Sequence, residues 1–124
     1  MKVLTLNCRG LNNSLKRHLF YKHFLKYNIC CLQESYVTNK TATLWENEWA
    51  GSHFFVQPGT NHSKGLIILI NKSFVCNEVK EIKINERCLG ISFIVDDKPY
   101  VIFNFYAPSV KEEQGYNTLK IYQI

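Results

Sequence analysis

Glu34 follows the run Ile29-Cys30-Cys31-Leu32-Gln33, so an apolar segment ends abruptly in an amide and a carboxylate. Four to six apolar residues bounded by polar ones read as a short buried strand. A carboxylate at the mouth of such a strand is costly to desolvate unless a cation meets it. A hard divalent ion such as Mg²⁺ suits the position, because it takes one or two carboxylates and keeps several waters. Taken alone, Glu34 fits better as a surface carboxylate opening a loop. Asn7 changes that balance. It ends the β-rich run Lys2–Leu6 and opens the glycine- and asparagine-containing loop Cys8–Asn13. By itself Asn7 is as easily a turn former.

The elements around these two residues bring them together. Ser14 suits an N-cap, and Leu15, Leu19, Phe20, Phe24 and Tyr27 recur at helical spacing. Lys16, Arg17, His23 and Lys26 then fall mostly on the other side and read as a solvated basic face. His18 and His23 have no partner at metal spacing. Strand, helix and strand in this order form a crossover unit with parallel strands. Asn7 and Glu34 therefore meet at one sheet edge, where open α/β sheets usually bind ligands.

Thr38–Glu48 reads as a short helix with Thr41, Leu44, Trp45 and Trp49 on its apolar side, stopped by Gly51. His53–Gln57 reads as a strand, followed by the loop 58–64. Gly65–Ile70 is apolar at nearly every position, so both faces require cover. Glu78–Ile84 suits an edge strand. Leu89–Val95 and Tyr100–Phe105 flank Asp96-Asp97-Lys98-Pro99 as a hairpin. Lys111–Tyr122 reads as a last helix. The hairpin strands are apolar on both faces, one for helices such as Leu15–Tyr27 and one for a second layer. The remaining strands are too few to build that layer. The shared face of 65–70, 89–95 and 100–105 is expected to be open, with self-association through it.

The chain has 124 residues, 46% of them hydrophobic, which suits one domain with a core. A formal charge of +5 leans weakly toward a polyanionic partner. No apolar run reaches the roughly 18 residues of a membrane span, and Met1–Leu11 has no signal-peptide pattern. Five cysteines, one adjacent pair and no C-x-x-C argue against a disulfide framework or zinc site. A reducing, intracellular setting fits best.

Four stretches carry a resemblance. They are Leu4–Asn12, Cys30–Glu34, Lys64–Leu69 and Asn104-Phe105-Tyr106-Ala107-Pro108. In this order and spacing the chain resembles the endonuclease/exonuclease/phosphatase superfamily. Within it, the chain is most similar to the apurinic-type endonuclease domain of LINE-type retrotransposons. The resemblance implies an α/β class, a four-layer α/β/β/α sandwich of mixed, mostly antiparallel sheet with flanking helices. It implies Mg²⁺-dependent hydrolysis of a phosphodiester, with Mn²⁺ as a substitute ion. Glu34 would bind the metal, Asn7 would orient the metal shell or attacking water, and Tyr106 would set its hydroxyl beside the scissile phosphate. Arg9, Asn12 and Ser109 would contact nucleic acid; Ser109 replaces an asparagine common in retrotransposon members. The family's later Asp-x-Asn and Ser/Asp-Asp-His motifs have no counterpart here. The only aspartates are Asp96 and Asp97, and all four histidines precede Ser63. Residues 1–124 thus read as a partial domain, the N-terminal half of a DNA-nicking enzyme, inactive as it stands and nuclear if it acts on DNA. The alternatives are a non-enzymatic remnant that binds nucleic acid or protein, and a phosphodiesterase acting on RNA or lipid head groups.

Overall fold

The computed structural model describes residues 1–106 and 119–123. In chain order these form β1 (Val3–Asn7), α1 (Ser14–Phe24), β2 (Ile29–Gln33), α2 (Ala42–Glu48), β3 (His53–Gln57) and β4 (Leu66–Ile70). There follow β5 (Asn77–Asn85), β6 (Cys88–Val95), β7 (Lys98–Phe105) and β8 (Leu119–Gln123). They build a mixed α/β protein with two four-stranded sheets, ordered β1-β2-β4-β3 and β5-β6-β7-β8. β1 and β2 run parallel, with Val3 opposite Ile29 and Asn7 opposite Gln33, and the other pairings are antiparallel.

The side-chain period of two explains the layers. Along β2, Cys30 and Leu32 face one way, and Ile29 and Cys31 face the other. The first pair joins Ile67, Leu69, Tyr21, Phe24, Trp45 and Trp49 in a core beneath the helices. The second joins Leu66, Ile68 and Ile70 against Leu89, Ile91, Phe93 and Ile102 of the other sheet. The first sheet is therefore covered on both faces, which is why β2 and β4 are buried throughout.

This overturns the expected open face. The shared face of 65–70, 89–95 and 100–105 is the interior between two sheets, with Leu66, Ile68, Leu89, Ile91 and Ile102 fully buried. The second layer is the hairpin itself: β6 and β7 stand with β5 in a sheet of their own, whose inner face packs on β2 and β4. Residues 119–123 pair with β7 at its edge instead of ending a helix. The rest of the expected helix, 111–118, lies outside the described residues. The hairpin β6–β7 packs on the first sheet and not on α1. Its turn is the two residues Asp96 and Asp97, both left-handed (φ 50° and 64°), the geometry that matches strand twist in a two-residue hairpin.

α1 also differs in its faces. Its N-cap is Asn13, whose side chain accepts from the Lys16 amide, and not Ser14. Leu15 and Leu19 are exposed, whereas Arg17, Tyr21 and Phe24 are buried. Arg17 enters the core because Glu48 of α2 neutralises it through two contacts of 2.7 and 3.0 Å. Its guanidinium also donates to the Leu11 carbonyl and lies 4.8 Å from the Trp45 ring. The aliphatic stem and flat cation do the work of an apolar residue here.

Candidate functional site

The ends of β1 and β2 are joined beyond the last strand residues. Cys8, Gly10 and Leu11 donate backbone N–H groups to the carbonyls of Gln33, Glu34 and Ser35. Ser35 and Tyr36 donate in turn to the carbonyls of Gly65 and Lys64, just before β4. Three loops are thereby held to one another at one edge. Arg9, Glu34, Tyr36 and Lys64 adopt left-handed backbone with φ between 49° and 66°. Such conformations in non-glycine residues cost about 1–2 kcal/mol each and persist only where the surroundings hold them. Gly10 (φ 88°) and Gly65 (φ 87°) complete the cluster. A Cβ on Gly10 would lie 2.5 Å from two Tyr36 ring carbons, and one on Gly65 would lie 2.7 Å from Ser35 Oγ.

This frame brings together two of the residues singled out from the sequence. The Asn7 side-chain amide donates to Glu34 Oε2, and Asn7 Oδ1 accepts the Arg9 backbone N–H at 3.1 Å. Asn7 and Arg9 are exposed and Glu34 is partly so, which leaves the pair accessible to a ligand. Lys16 Nζ donates to the Cys8 carbonyl at 2.9 Å and fixes the same loop from below. Asn12, also exposed, ties that loop to the 58–65 loop through the Asn61 carbonyl.

The second sheet is fastened to this edge by a buried polar clasp. Gln33 Nε2 lies 2.8 Å from Asn104 Oδ1 and 2.9 Å from Thr5 Oγ1. Asn104 Nδ2 donates to the carbonyls of Leu32 and Ile67 across the sheets. The C-terminal end of β7 thus lies against the C-terminal end of β2. Tyr106, two residues on, donates its backbone N–H to the Arg87 carbonyl and packs partly buried against the inter-sheet core. Ser109 lies outside the described residues. The clasp was missed from the sequence, although a signal existed: Gln33 and Asn104 are amides inside otherwise apolar strands.

The donor set is oxygen. Glu34 offers one charged oxygen donor and Asn7 a neutral one, a pairing compatible with Mg²⁺ if water and substrate fill most of its shell. Among the described residues no group of three or more His, Cys, Asp or Glu side chains is placed to hold a metal ion. Cys8, beneath the loop, is not a nucleophile candidate: burial raises its thiol to about 12 against a partial opposing effect of Lys16. All five cysteines are free.

The fold and site define a two-sheet α/β protein with an amide–carboxylate pair at the joined ends of two parallel strands. Comparison with protein-family models and with curated proteins returned no match. No helix among the described residues is long and apolar enough to cross a membrane.

Proposed function

We propose that this chain carries part of a Mg²⁺-dependent site for cleaving DNA phosphodiesters on a nuclease sandwich of the four-layer kind, as in LINE-type endonucleases. The observation that carries this reading is the Asn7–Glu34 side-chain pair, held at the edge where three left-handed loops interlock. Glu34 would hold the ion, with Asn7 beside it. When bound, the ion would supply charge stabilisation at the phosphate and a more acidic water. Asn7 uses its N–H to orient the Glu34 carboxylate, while its oxygen, anchored on the Arg9 amide, fixes which way the side chain faces. Gln33 and Asn104 hold the β7 end, and with it Tyr106, on the same side of the sandwich. Tyr106 would donate its hydroxyl to a phosphate oxygen, and Arg9 and Asn12 would meet the nucleic-acid backbone.

Groups of a hydrolytic site act as a unit, so lacking the base costs about as much as lacking the whole set. No histidine–aspartate pair is available near Glu34 in the sequence, since the aspartates occupy the β6–β7 turn at the other end of the hairpin. Residues 1–124 are therefore expected to bind DNA and a divalent ion weakly and to leave supercoiled plasmid intact in Mg²⁺. A longer chain that supplies the base should nick, and Glu34→Ala within it should abolish nicking. The direct test is a Mn²⁺ titration of 1–124 followed by electron paramagnetic resonance. Binding should fall in Glu34→Ala and in Asn7→Ala; unchanged binding in Glu34→Ala would remove the site.

A further inference from the structure

Lys64 sits at the centre of the interlocked loops, and the reading above gives it no part. Its carbonyl accepts the Tyr36 N–H two residues beyond Glu34, and its left-handed backbone precedes Gly65, which is bonded to Ser35. The root of its side chain is therefore as fixed as Glu34 itself. Its ammonium lies 3.3 Å from a carboxylate oxygen of Glu86 in the β5–β6 turn. Glu86 adjoins Arg87, whose carbonyl accepts the Tyr106 N–H. The Lys64–Glu86 pair thus spans the seam between the two sheets, joining the segment that carries Glu34 to the turn that holds Tyr106.

We propose that Lys64 is a phosphate-binding residue of this edge, and that Glu86 is its internal competitor, which a nucleic-acid phosphate displaces. This rests on the nucleic-acid reading above. The pair is open to solvent, with the lysine side chain 32% and the glutamate side chain 61% exposed. An ion pair so exposed contributes little, because water screens both charges and two long side chains must be ordered. A phosphate that replaces Glu86 keeps the lysine neutralised and releases a condensed counterion, which favours the exchange at low salt. The rigid backbone beneath Lys64 confines the exchange to its side chain. A purely structural tie between the sheets predicts something else: loss of either partner would loosen the edge and weaken binding in the same direction.

The test is duplex binding by the full 1–124 chain, measured by fluorescence anisotropy of a labelled DNA over a range of salt. Lys64→Gln should weaken binding and reduce the slope of log affinity against log salt by about 0.9, the value of one phosphate contact. Glu86→Gln should change affinity in the opposite sense, tightening it by about 1.5- to 5-fold at low salt. Lys72→Gln, an exposed lysine beyond the opposite end of β4, serves as the control and should leave the slope unchanged. Weaker binding in both the Lys64 and Glu86 variants would make the pair a structural tie and overturn the proposal. An unaltered slope in Lys64→Gln would overturn the Lys64 assignment and leave the nucleic-acid reading standing. No salt-dependent binding by the unsubstituted chain would overturn both.

Discussion

At the scale of single residues, the site edge is built from backbone conformations that side chains resist. Gly10 is the clearest case, because its φ of 88° and the Tyr36 ring 2.5 Å from a would-be Cβ exclude a side chain on two independent grounds. Gly10→Ala should destabilise the chain by about 2 kcal/mol or more, the range for one strained backbone position with a steric clash added. Urea denaturation measures this directly; a loss under about 0.5 kcal/mol would mean that the loop relaxes freely. Asn7 and Glu34 were legible in the sequence because a polar residue ending an apolar run is conspicuous. The left-handed backbone at Arg9, Glu34, Tyr36 and Lys64 was not legible. It arises from hydrogen bonds between loops distant in sequence, and no local propensity in those residues announces it.

At the scale of elements, the strand–helix–strand unit was readable and α1 was misread for a physical reason. The crossover rule gives parallel neighbours whatever the helix does, and Val3–Asn7 pairs with Ile29–Gln33 in parallel. Helical spacing placed Phe20, Phe24 and Tyr27 correctly against the core but put Leu15 and Leu19 with them, where Arg17 and Tyr21 are buried instead, because burial here is decided by a partner 31 residues away. Glu48 makes Arg17 acceptable in the core, and periodicity does not register ion pairs. This pair has a pH signature. The hydrogen bond from Arg17 is the first reason that Glu48 titrates below its ordinary value, with the Arg17 and His18 charges adding to it and burial opposing it. A carboxylate with a lowered folded-state value adds stability above its unfolded value, and that stability fades as pH falls toward the folded one. Stability should therefore drop as acid passes below the usual glutamate range near pH 4.3. Glu48→Ala should cost about 3 kcal/mol at neutral pH, since it strands a buried guanidinium, and should flatten the acid limb. Denaturation midpoints between pH 3 and 7 decide it, and parallel acid limbs in the two proteins would contradict the assignment.

At the scale of the whole molecule, the sequence could not count its own layers. Each strand announces how many of its faces are apolar, and β4, buried at every position, did so correctly. Which strands share a sheet depends on pairing, and reading 119–123 as helix removed the fourth strand of the second sheet. The consequential error was to give β4, β6 and β7 one shared face: β4 pairs with β2 and β3, and β6 and β7 face it from the second sheet, so the expected surface is an interior. The sandwich that results has one consequence for cooperativity. Both tryptophans, Trp45 and Trp49, lie in the core under the helices, on the far side of the first sheet from β5–β8. Ile91 lies in the other core, between the sheets, and is fully buried. The first sheet is the common wall of both cores, and the Gln33–Asn104 clasp pins it to the second. Loss of inter-sheet packing should therefore unfold the helix layer as well, in one transition. Ile91→Ala should cost about 2–5 kcal/mol, as for other large-to-small changes in a core. It should shift the urea midpoint of tryptophan fluorescence by as much as that of far-ultraviolet circular dichroism. If the dichroism midpoint falls while the fluorescence midpoint stays in place, the two sheets unfold separately. The first sheet would then hold its helices and the Asn7–Glu34 pair without help from the second.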